Sequence, residues 1–334
     1  MSPVQIKLSD KLTAKNSSIS EQQLNTFNLK NYTATLELLL LASIWGASFM
    51  FMRIGAPEFG PILFTTLRAS IGAIFLFSCL VLFKQTNALN GHWRKVFMVG
   101  ALNTAIPFAL FGYATLTLSA GTTSVLNATT PMFGAIVAYF WLKDKLTSSA
   151  TLGLFIGFLG VYLLVSGSLP FDNNSNKLLI QDTTLPPILL PTLAAMLAAL
   201  CYGISANYTK KYLTGIKPLA LAAGSQITAS AMLLPISLFF MPETLPSAKA
   251  VGSVILIGVI CTGVAYILFF HLIAELGPAK AISVTYLIPA FGILWGALFL
   301  DEAISLMMLF GGAVILLGVA LATGLLGRKP MPEN

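Results

Sequence analysis

The chain has 334 residues, of which 56% are hydrophobic and 9% are charged, and its net charge is +7. Soluble domains carry about 25% charged residues, so a large soluble globule is excluded. The basic residues lie in short clusters between apolar blocks rather than on one basic face, which argues against a nucleic-acid-binding protein. Composition therefore predicts an all-α integral membrane protein.

Apolar blocks of the length needed to cross a bilayer core of about 30 Å, about 20 residues each, occur ten times along the chain. A polar stretch, 1–33, precedes them and is predicted to be a disordered cytoplasmic tail. The first five blocks, within a predicted repeat at 34–168, are 34–53, 61–83, 95–115, 121–142 and 149–168. A polar, Pro-flanked linker at 169–186 follows. The second five, within a repeat at 187–326, are 187–208, 218–241, 250–273, 278–300 and 304–326, and a short cytoplasmic tail, 327–334, ends the chain.

The two halves share a segment that is displaced by 158 positions. TPMFGAIVAYFWLKDKLT, which begins at Thr130, returns as IPAFGILWGALFLDEAIS, which begins at Ile288. The apolar body is kept, but the charges at its end change sign. Five crossings are an odd number, so the second half enters the membrane from the opposite side. The sequence thus predicts ten transmembrane helices in two inverted five-helix repeats.

The distribution of basic residues predicts the orientation of the helices. With both termini in the cytoplasm, fifteen of the 19 Lys and Arg residues lie on the cytoplasmic side and three on the other side. Cytoplasmic loops carry an excess of Lys and Arg. We therefore expect a multi-pass protein of the cell inner (plasma) membrane whose linker is extracytoplasmic.

Ionisable residues inside the predicted spans are few, and each is a functional hypothesis. Arg68 is assigned a structural or gating role; binding of an anion or carboxylate and simple snorkelling to the surface are the alternatives, and Glu58 is its expected partner. His271 and Glu275 are expected to form an interfacial pair, with a proton relay as the alternative. Pro131 and Pro289 are assigned structural or gating roles because each loosens its helix at a matching depth.

Uncharged polar and aromatic residues at depth are the candidates for binding a small polar solute through hydrogen bonds and ring contacts. The alternative for each of them is helix packing, which uses the same residue types. The candidate substrate-binding residues are Trp45, Asn103, Asn127, Tyr202, Tyr266, Tyr286 and Trp295.

Several kinds of chemistry have no residues to support them in this sequence. No Asp or Glu lies centrally in a predicted span, no catalytic constellation is visible at depth, and no Walker-type loop is present. Cys79, Cys201 and Cys261 have no metal-ligand spacing and are predicted to be packing residues. We therefore predict no enzyme activity, no catalytic residues, no metal and no cofactor. The shortage of buried carboxylates further favours uniport or exchange over tight multi-proton coupling.

Three stretches resemble the EamA-type members of the drug/metabolite transporter superfamily. They are SIWGASFMFMRIG with the following FTTLRAS, the segment from Ser119 to Val165, and the segment from Leu276 to Val319. Asp144 stands where the family usually has Glu, and Glu302 keeps the pattern. The resemblance implies a ten-span transporter whose central cavity is lined mainly by spans one, three, four, six, eight and nine.

The leading hypothesis is a secondary transporter that exports a small metabolite such as an amino acid by alternating access around a midplane site between the repeats. One alternative is a carrier of sugar or nucleotide-linked metabolites; from another class, a non-transport membrane subunit or a membrane-embedded enzyme is the rival. The expected partners are the lipid bilayer, a small-molecule substrate and, as an open option, a second copy in a homodimer, with no nucleic acid.

Overall fold

The apolar blocks form ten helices in a computed structural model that describes residues 33–166, 171–172, 177–178 and 187–324. The predicted tails, apart from Thr33, and most of the predicted linker lie outside these residues; Thr33 was assigned to the tail but begins α1. The helices are α1 Thr33–Phe59, α2 Pro61–Leu82, α3 Trp93–Ala114, α4 Ala120–Leu142, α5 Ser148–Ser166, α6 Leu189–Tyr212, α7 Pro218–Phe240, α8 Ala248–Leu276, α9 Lys280–Leu300 and α10 Leu306–Ala322.

Nine of these described helices have 19 to 29 residues, and α10 has 17. At 1.5 Å per residue, α10 is about 26 Å long, the lower limit for crossing a bilayer. The prediction of ten transmembrane helices in two five-helix repeats is therefore confirmed. In the predicted linker, the described residues form a two-residue antiparallel ladder of β1 Phe171–Asp172 and β2 Lys177–Leu178.

The inner helices of the two repeats are interrupted at equivalent places. The third helix of each repeat contains a π-helical segment, Ala101–Ala105 in α3 and Val259–Val264 in α8. The fourth helix of each repeat breaks and restarts, with Pro131 in the first turn of one restarted segment and Pro289 in the first turn of the other. Proline has no N–H to donate, so it is tolerated at such a start. The structural or gating role assigned to Pro131 and Pro289 stays a prediction.

The ends of the repeated segment keep one backbone shape although their charges differ. Lys143 and Asp301, which are 158 positions apart, both adopt the left-handed conformation, with φ of 60° and 52°. Four residues further on, Thr147 and Ser305 cap α5 and α10: each hydroxyl accepts a hydrogen bond from the backbone N–H three residues ahead, at 3.1 Å and 3.0 Å. The duplicated sequence therefore encodes a duplicated turn, and the charges vary independently of it.

Helices α5 and α10, the last helices of the two repeats, pack through glycines. Gly153 faces the backbone at Gly318, and its counterpart Gly311 faces the backbone at Gly160. A Cβ at any of these positions would lie against main-chain atoms of the other helix, and main chain cannot move aside as a flexible side chain can. Small residues allow this close approach of helices in a membrane.

The first helix of each repeat crosses the fourth helix of the other repeat. A Cβ on Gly46 in α1 would lie 2.9 Å from the backbone nitrogen of Gly292 in α9, and a Cβ on Gly203 in α6 would lie 2.7 Å from that of Gly134 in α4. These two crossings are related by the same sequence displacement as the repeats. The repeats are therefore interlocked, and neither could complete its packing alone.

Candidate substrate site and the two ends of the bundle

Arg68 lies in the middle region of the bundle and is 6% exposed. Its guanidinium carbon lies 3.5 Å from the centre of the Phe108 ring in α3, and its Nε donates to Thr262 Oγ1 in α8 at 3.2 Å. The cation therefore points into the protein and does not extend to the surface. The alternative of snorkelling is wrong, because the side chain is held by a ring face and a hydroxyl from two other helices.

The expected pairing of Arg68 with Glu58 is also wrong. Glu58 accepts hydrogen bonds from the backbone N–H and the hydroxyl of Ser247 at 2.6 Å and 2.8 Å, at the start of α8. The carboxylate serves as a cap for that helix, since it accepts from a free N–H at the positive end of the helix dipole. Among the described residues, no carboxylate lies within ion-pair distance of Arg68.

Two predicted binding residues, Tyr202 and Tyr266, lie near Arg68, and a third, Asn103, contacts Tyr266. Tyr202 and Tyr266 interact with the charge of Arg68 electrostatically, and the amide nitrogen of Asn103 donates to the hydroxyl of Tyr266 at 3.4 Å. All three are partly accessible although each lies midway along its helix. These partly accessible side chains and the buried cation form one polar and aromatic group midway along the helices. We call Arg68, Asn103, Tyr202 and Tyr266 the central cluster.

The polar contact of Arg68 has a counterpart in the other repeat. Gln226 in α7 lies 158 positions after Arg68, and its Nε2 donates to Thr104 Oγ1 in α3 at 3.4 Å. Thr104 is in turn the counterpart of Thr262, and both threonines lie in π-helical segments. Such segments occur frequently at functional sites. The second helix of each repeat thus contacts the third helix of the other repeat. The donor is a charged guanidinium in the α2–α8 contact and a neutral amide in the α7–α3 contact.

Trp45, another predicted binding residue, belongs to an aromatic pair that is also duplicated. Its ring centre lies 5.2 Å from that of Phe269 in α8, and the ring centre of Tyr202 lies 6.0 Å from that of Phe111 in α3. Both pairs join the first helix of one repeat to the third helix of the other. Trp45 and Tyr202 therefore occupy equivalent places in the two halves.

The remaining predicted binding residues have contacts away from the central cluster. Trp295 Nε1 donates to the backbone oxygen of Ser43 in α1 at 3.0 Å, and the hydroxyl of Tyr286 lies 2.9 Å from that of Thr323. Asn127 is half-buried beside the break in α4. The contacts of Trp295 and Tyr286 tie neighbouring helices together, which is the packing alternative. A substrate-binding role for these three residues stays a prediction.

A polar group that the sequence did not predict closes one end of the bundle. We call the end at which α1 begins the proximal face and the opposite end the distal face. On the distal face, Glu302 accepts from the backbone N–H of Ala120 at 2.8 Å, and its Oε1 lies 3.9 Å from Nε of Arg53. Arg53 also donates from Nη1 to the backbone oxygens of Thr115 and Leu116 at 2.6 Å and 2.8 Å. The end of α1, the α3–α4 loop and the α9–α10 loop are thereby joined.

A related ion pair lies on the proximal face. Lys210 Nζ is 3.2 Å from Oδ2 of Asp144. Lys210 follows Arg53 by 157 positions, and Glu302 follows Asp144 by 158, so the two pairs are counterparts at opposite ends. The distal side chains are 34% and 15% exposed, and the proximal ones 67% and 52%. The distal pair is therefore the more buried of the two. The repeated displacement was the sequence signal that could have revealed these pairs.

The proximal face has two further features. His271 Nδ1 lies 2.8 Å from a carboxylate oxygen of Glu37, so α8 is tied to α1 there. A cavity of about 430 Å³ opens between the start of α1 and the α8–α9 connection, lined by Ala34, Thr35, Leu38, Leu276, Lys280 and Ser283. Within the described residues no group of three or more His, Cys, Asp or Glu could hold a metal ion.

Ten apolar helices in two interlocked inverted repeats, with polar side chains converging midway along them, define a multi-pass membrane transporter. The chain belongs to the EamA-like transporter family, whose model matches residues 33–166 and 189–324. The first matched segment begins one residue before the predicted repeat 34–168 and ends within it, and the second lies within the repeat 187–326.

Known proteins that are similar over almost their full lengths support the same class. "Uncharacterized transporter YoaV" of Bacillus subtilis is 26% identical over 299 residues, which cover 88% of this chain and 98% of that protein. A protein of Streptantibioticus cattleyicolor named "Probable terminal-alkyne amino-acid exporter" is 22% identical over 305 residues, covering 90% and 97%. One solved crystal structure, at 18% identity, shares the fold with a TM-score of 0.61 and covers 89% of this chain and 99% of that one.

Proposed function

We propose that this protein is a secondary transporter that exports a small metabolite, such as an amino acid, by alternating access around the central cluster. The observation that carries the proposal is the pair of counterpart ion pairs, Arg53–Glu302 and Lys210–Asp144, at opposite ends of one polar cluster. A transporter built from inverted repeats exposes its site to each side in turn as the repeats exchange conformations. Paired contacts that close opposite ends are what such an exchange requires.

The structure corresponds, in this proposal, to the state that is closed at the distal face. The distal pair is the less exposed one, and it also anchors the start of α4 and the α3–α4 loop. The proximal pair is largely solvated, and a solvated pair contributes about 0–1 kcal/mol. On switching, the Arg53–Glu302 contacts open and the Lys210–Asp144 pair becomes the buried one. Substrate can drive this change only through a difference in its affinity for the two states.

The amino-acid class is favoured by one relative and by the chemistry of the cluster. The Streptantibioticus protein is named an amino-acid exporter. In this chain the cluster offers one guanidinium, one amide and two phenolic hydroxyls beside aromatic rings. Such a set suits a small solute with a few polar atoms and an apolar body. Phosphorylated and nucleotide-linked solutes carry more negative charge than the one cation of the cluster can balance.

The test of the proposed function is transport by the purified protein in liposomes. We expect accelerated exchange of at least one radiolabelled amino acid over protein-free liposomes, with no added ATP. The same assay is run with sugars and nucleotide sugars. Exchange of a sugar or nucleotide sugar but of no amino acid would reject the amino-acid class and leave transport standing. No exchange of any solute by a folded, monodisperse preparation would count against the transporter mechanism itself.

The proposed orientation places the protein in the inner (plasma) membrane with the proximal face in the cytoplasm, because the basic residues are concentrated at that end. We expect a cysteine in place of Lys210 to be labelled by an impermeant maleimide only after cells are opened. A cysteine in place of the exposed Lys249, on the distal face, serves as the control and should be labelled in intact cells. Cys79, Cys201 and Cys261 are first replaced by alanine. Labelling with the opposite pattern would reverse the proposed orientation.

A further inference from the structure

Most of the hydrogen-bonding capacity of Arg68 is unused. A guanidinium has five N–H donors and carries its charge at any pH relevant to cells. Nε is taken by Thr262, and the closest partner of Nη1 is the sulfur of Met52 at 4.0 Å, a weak acceptor. The ring of Phe108 covers one face of the guanidinium. Among the described residues, the two terminal nitrogens therefore have no oxygen acceptor, although the side chain is 94% removed from solvent.

Helix packing alone does not explain a charge at this place. The counterpart Gln226 makes the equivalent contact, to Thr104, with a neutral side chain that is 0% exposed. The same kind of helix crossing is thus built once with an amide and once with a guanidinium. A charged side chain deep in a membrane costs about 2.5–3.5 kcal/mol on insertion scales. Only one of the two repeats carries this cost. The charge of Arg68 therefore serves a purpose other than joining the two helices.

The open fork of Arg68 matches one kind of ligand group. Two parallel N–H donors in a plane fit the two oxygens of a carboxylate, and a buried pair of this kind is stronger than a hydrogen bond between neutral groups. Ser48, one helical turn before Met52 in α1, has a buried hydroxyl whose interaction with the thiol of Cys261 is a weak one. Asn103 and the hydroxyl of Tyr266 lie on the α3 and α8 side of the cluster. These groups can hold polar atoms next to the carboxylate.

We propose that Arg68 binds the carboxylate of the transported solute through its two terminal nitrogens. The substrates are then small monocarboxylates, amino acids among them, and the corresponding amines and amides are rejected. The inference rests on the proposed transport function and adds to it the ligand group and the residue that selects it. An amine without a carboxylate would leave the guanidinium unpaired and bring a second positive charge beside it, which is unfavourable on both counts.

The experiment compares matched solutes on the full-length protein in liposomes. Leucine, phenylalanine and threonine are each tested as competitors of amino-acid exchange, together with the amine that lacks the carboxylate and with the amide. We expect the wild-type protein to prefer each accepted acid over its amine by about 30-fold or more, as for removal of one partner of a buried charge pair. Arg68→Gln should reduce this preference to a few-fold. Arg68→Lys, which keeps the charge but not the fork, should retain part of it.

Two controls separate ligand binding from folding. Gln226→Ala removes the counterpart contact to Thr104 and should lower thermal stability while the preference for the acid persists. Lys249→Gln removes an exposed cation on the distal face and should change neither property. Arg68→Gln is expected to fold, because a glutamine already occupies the equivalent crossing. If it does not fold, the matched solutes on the wild-type protein and on Arg68→Lys still decide.

The outcomes distinguish the inference from the function on which it rests. Equal competition by acids and amines on the wild-type protein overturns the inference and leaves transport standing. An unchanged preference in folded Arg68→Gln also overturns it and makes the arginine a packing residue. Exchange of no amino acid overturns the proposed amino-acid class and this inference with it. Loss of the acid preference in Arg68→Gln, with Gln226→Ala still selective, supports both.

Discussion

Replacing Glu302 by alanine is expected to open the distal end and reduce net transport strongly. The carboxylate accepts from the N–H of Ala120 at the start of α4 and lies beside Arg53. Hydrogen bonds to charged groups contribute about 1.5–3 kcal/mol. A loss of about 2 kcal/mol from one state shifts the equilibrium between the two states by about 30-fold. The variant should therefore populate the distal-open state, with amino-acid exchange slowed by about tenfold or more.

The shift is measured with a single cysteine at Ser48, in a protein whose three native cysteines are replaced by alanine. Glu302→Ala should increase labelling of this cysteine by a reagent supplied at the distal face. Asp144→Ala removes the counterpart carboxylate from a solvated pair, and pairs of that kind contribute about 0–1 kcal/mol. This variant should therefore change labelling of the same cysteine from the distal face only slightly. Equal labelling of the parent and of Glu302→Ala would show that the distal contacts do not control access.

Replacing Gly318 by alanine is expected to destabilise the protein, because the added Cβ would lie against the backbone of Gly153 and Gly157 in α5. Overpacking of a close contact costs about 1–3 kcal/mol. Here the atoms that the added Cβ would meet belong to the backbone of α5, which cannot move aside as a side chain can. The melting temperature in detergent should fall, and the fraction of monodisperse protein should fall with it. Gly252→Ala in α8 is the matched control, since its Cβ would meet nothing within 4 Å.

The control variant should be neutral or slightly stabilising, because alanine favours a helix over glycine by up to about 1 kcal/mol. A Gly318→Ala protein with the melting temperature of its parent would show that α5 and α10 can separate without loss of stability. The conclusion that these glycines are needed for close packing of α5 against α10 would then be wrong.

The residues of the central cluster were only partly accessible to sequence reasoning. Asn103, Tyr202 and Tyr266 were predicted from their polarity at depth; the structure places the two tyrosines near Arg68 and Asn103 against Tyr266. Trp295 and Tyr286 carry the same signal, yet they contact Ser43 and Thr323. Periodicity and depth cannot separate these cases, since the direction in which a side chain points depends on the π-helical segments and on the breaks at the prolines.

The charged contacts show a second limit of prediction from the sequence. Glu58 is near Arg68 in the sequence, but it caps α8 through Ser247, because a free helix terminus lies closer to it than the buried cation does. The partners of Arg53 and Lys210 lie in the other repeat. The displacement between the repeats relates the two ion pairs to each other. It identifies the partners of Arg53 and Lys210 only once it is known which helices cross.

The number of membrane crossings, their division into two inverted halves and the family could all be predicted from the sequence alone. These properties depend on local quantities: the length of apolar blocks, the position of Pro and Gly, and the sign of the charges that follow each block. The tertiary structure was needed to see that Arg68 faces inward, with no carboxylate partner among the described residues, and that its counterpart crossing is neutral. It also places the two ion pairs at opposite ends of the bundle. Those facts arise from contacts between residues 40 or more positions apart, which helix crossings bring together and no local pattern specifies.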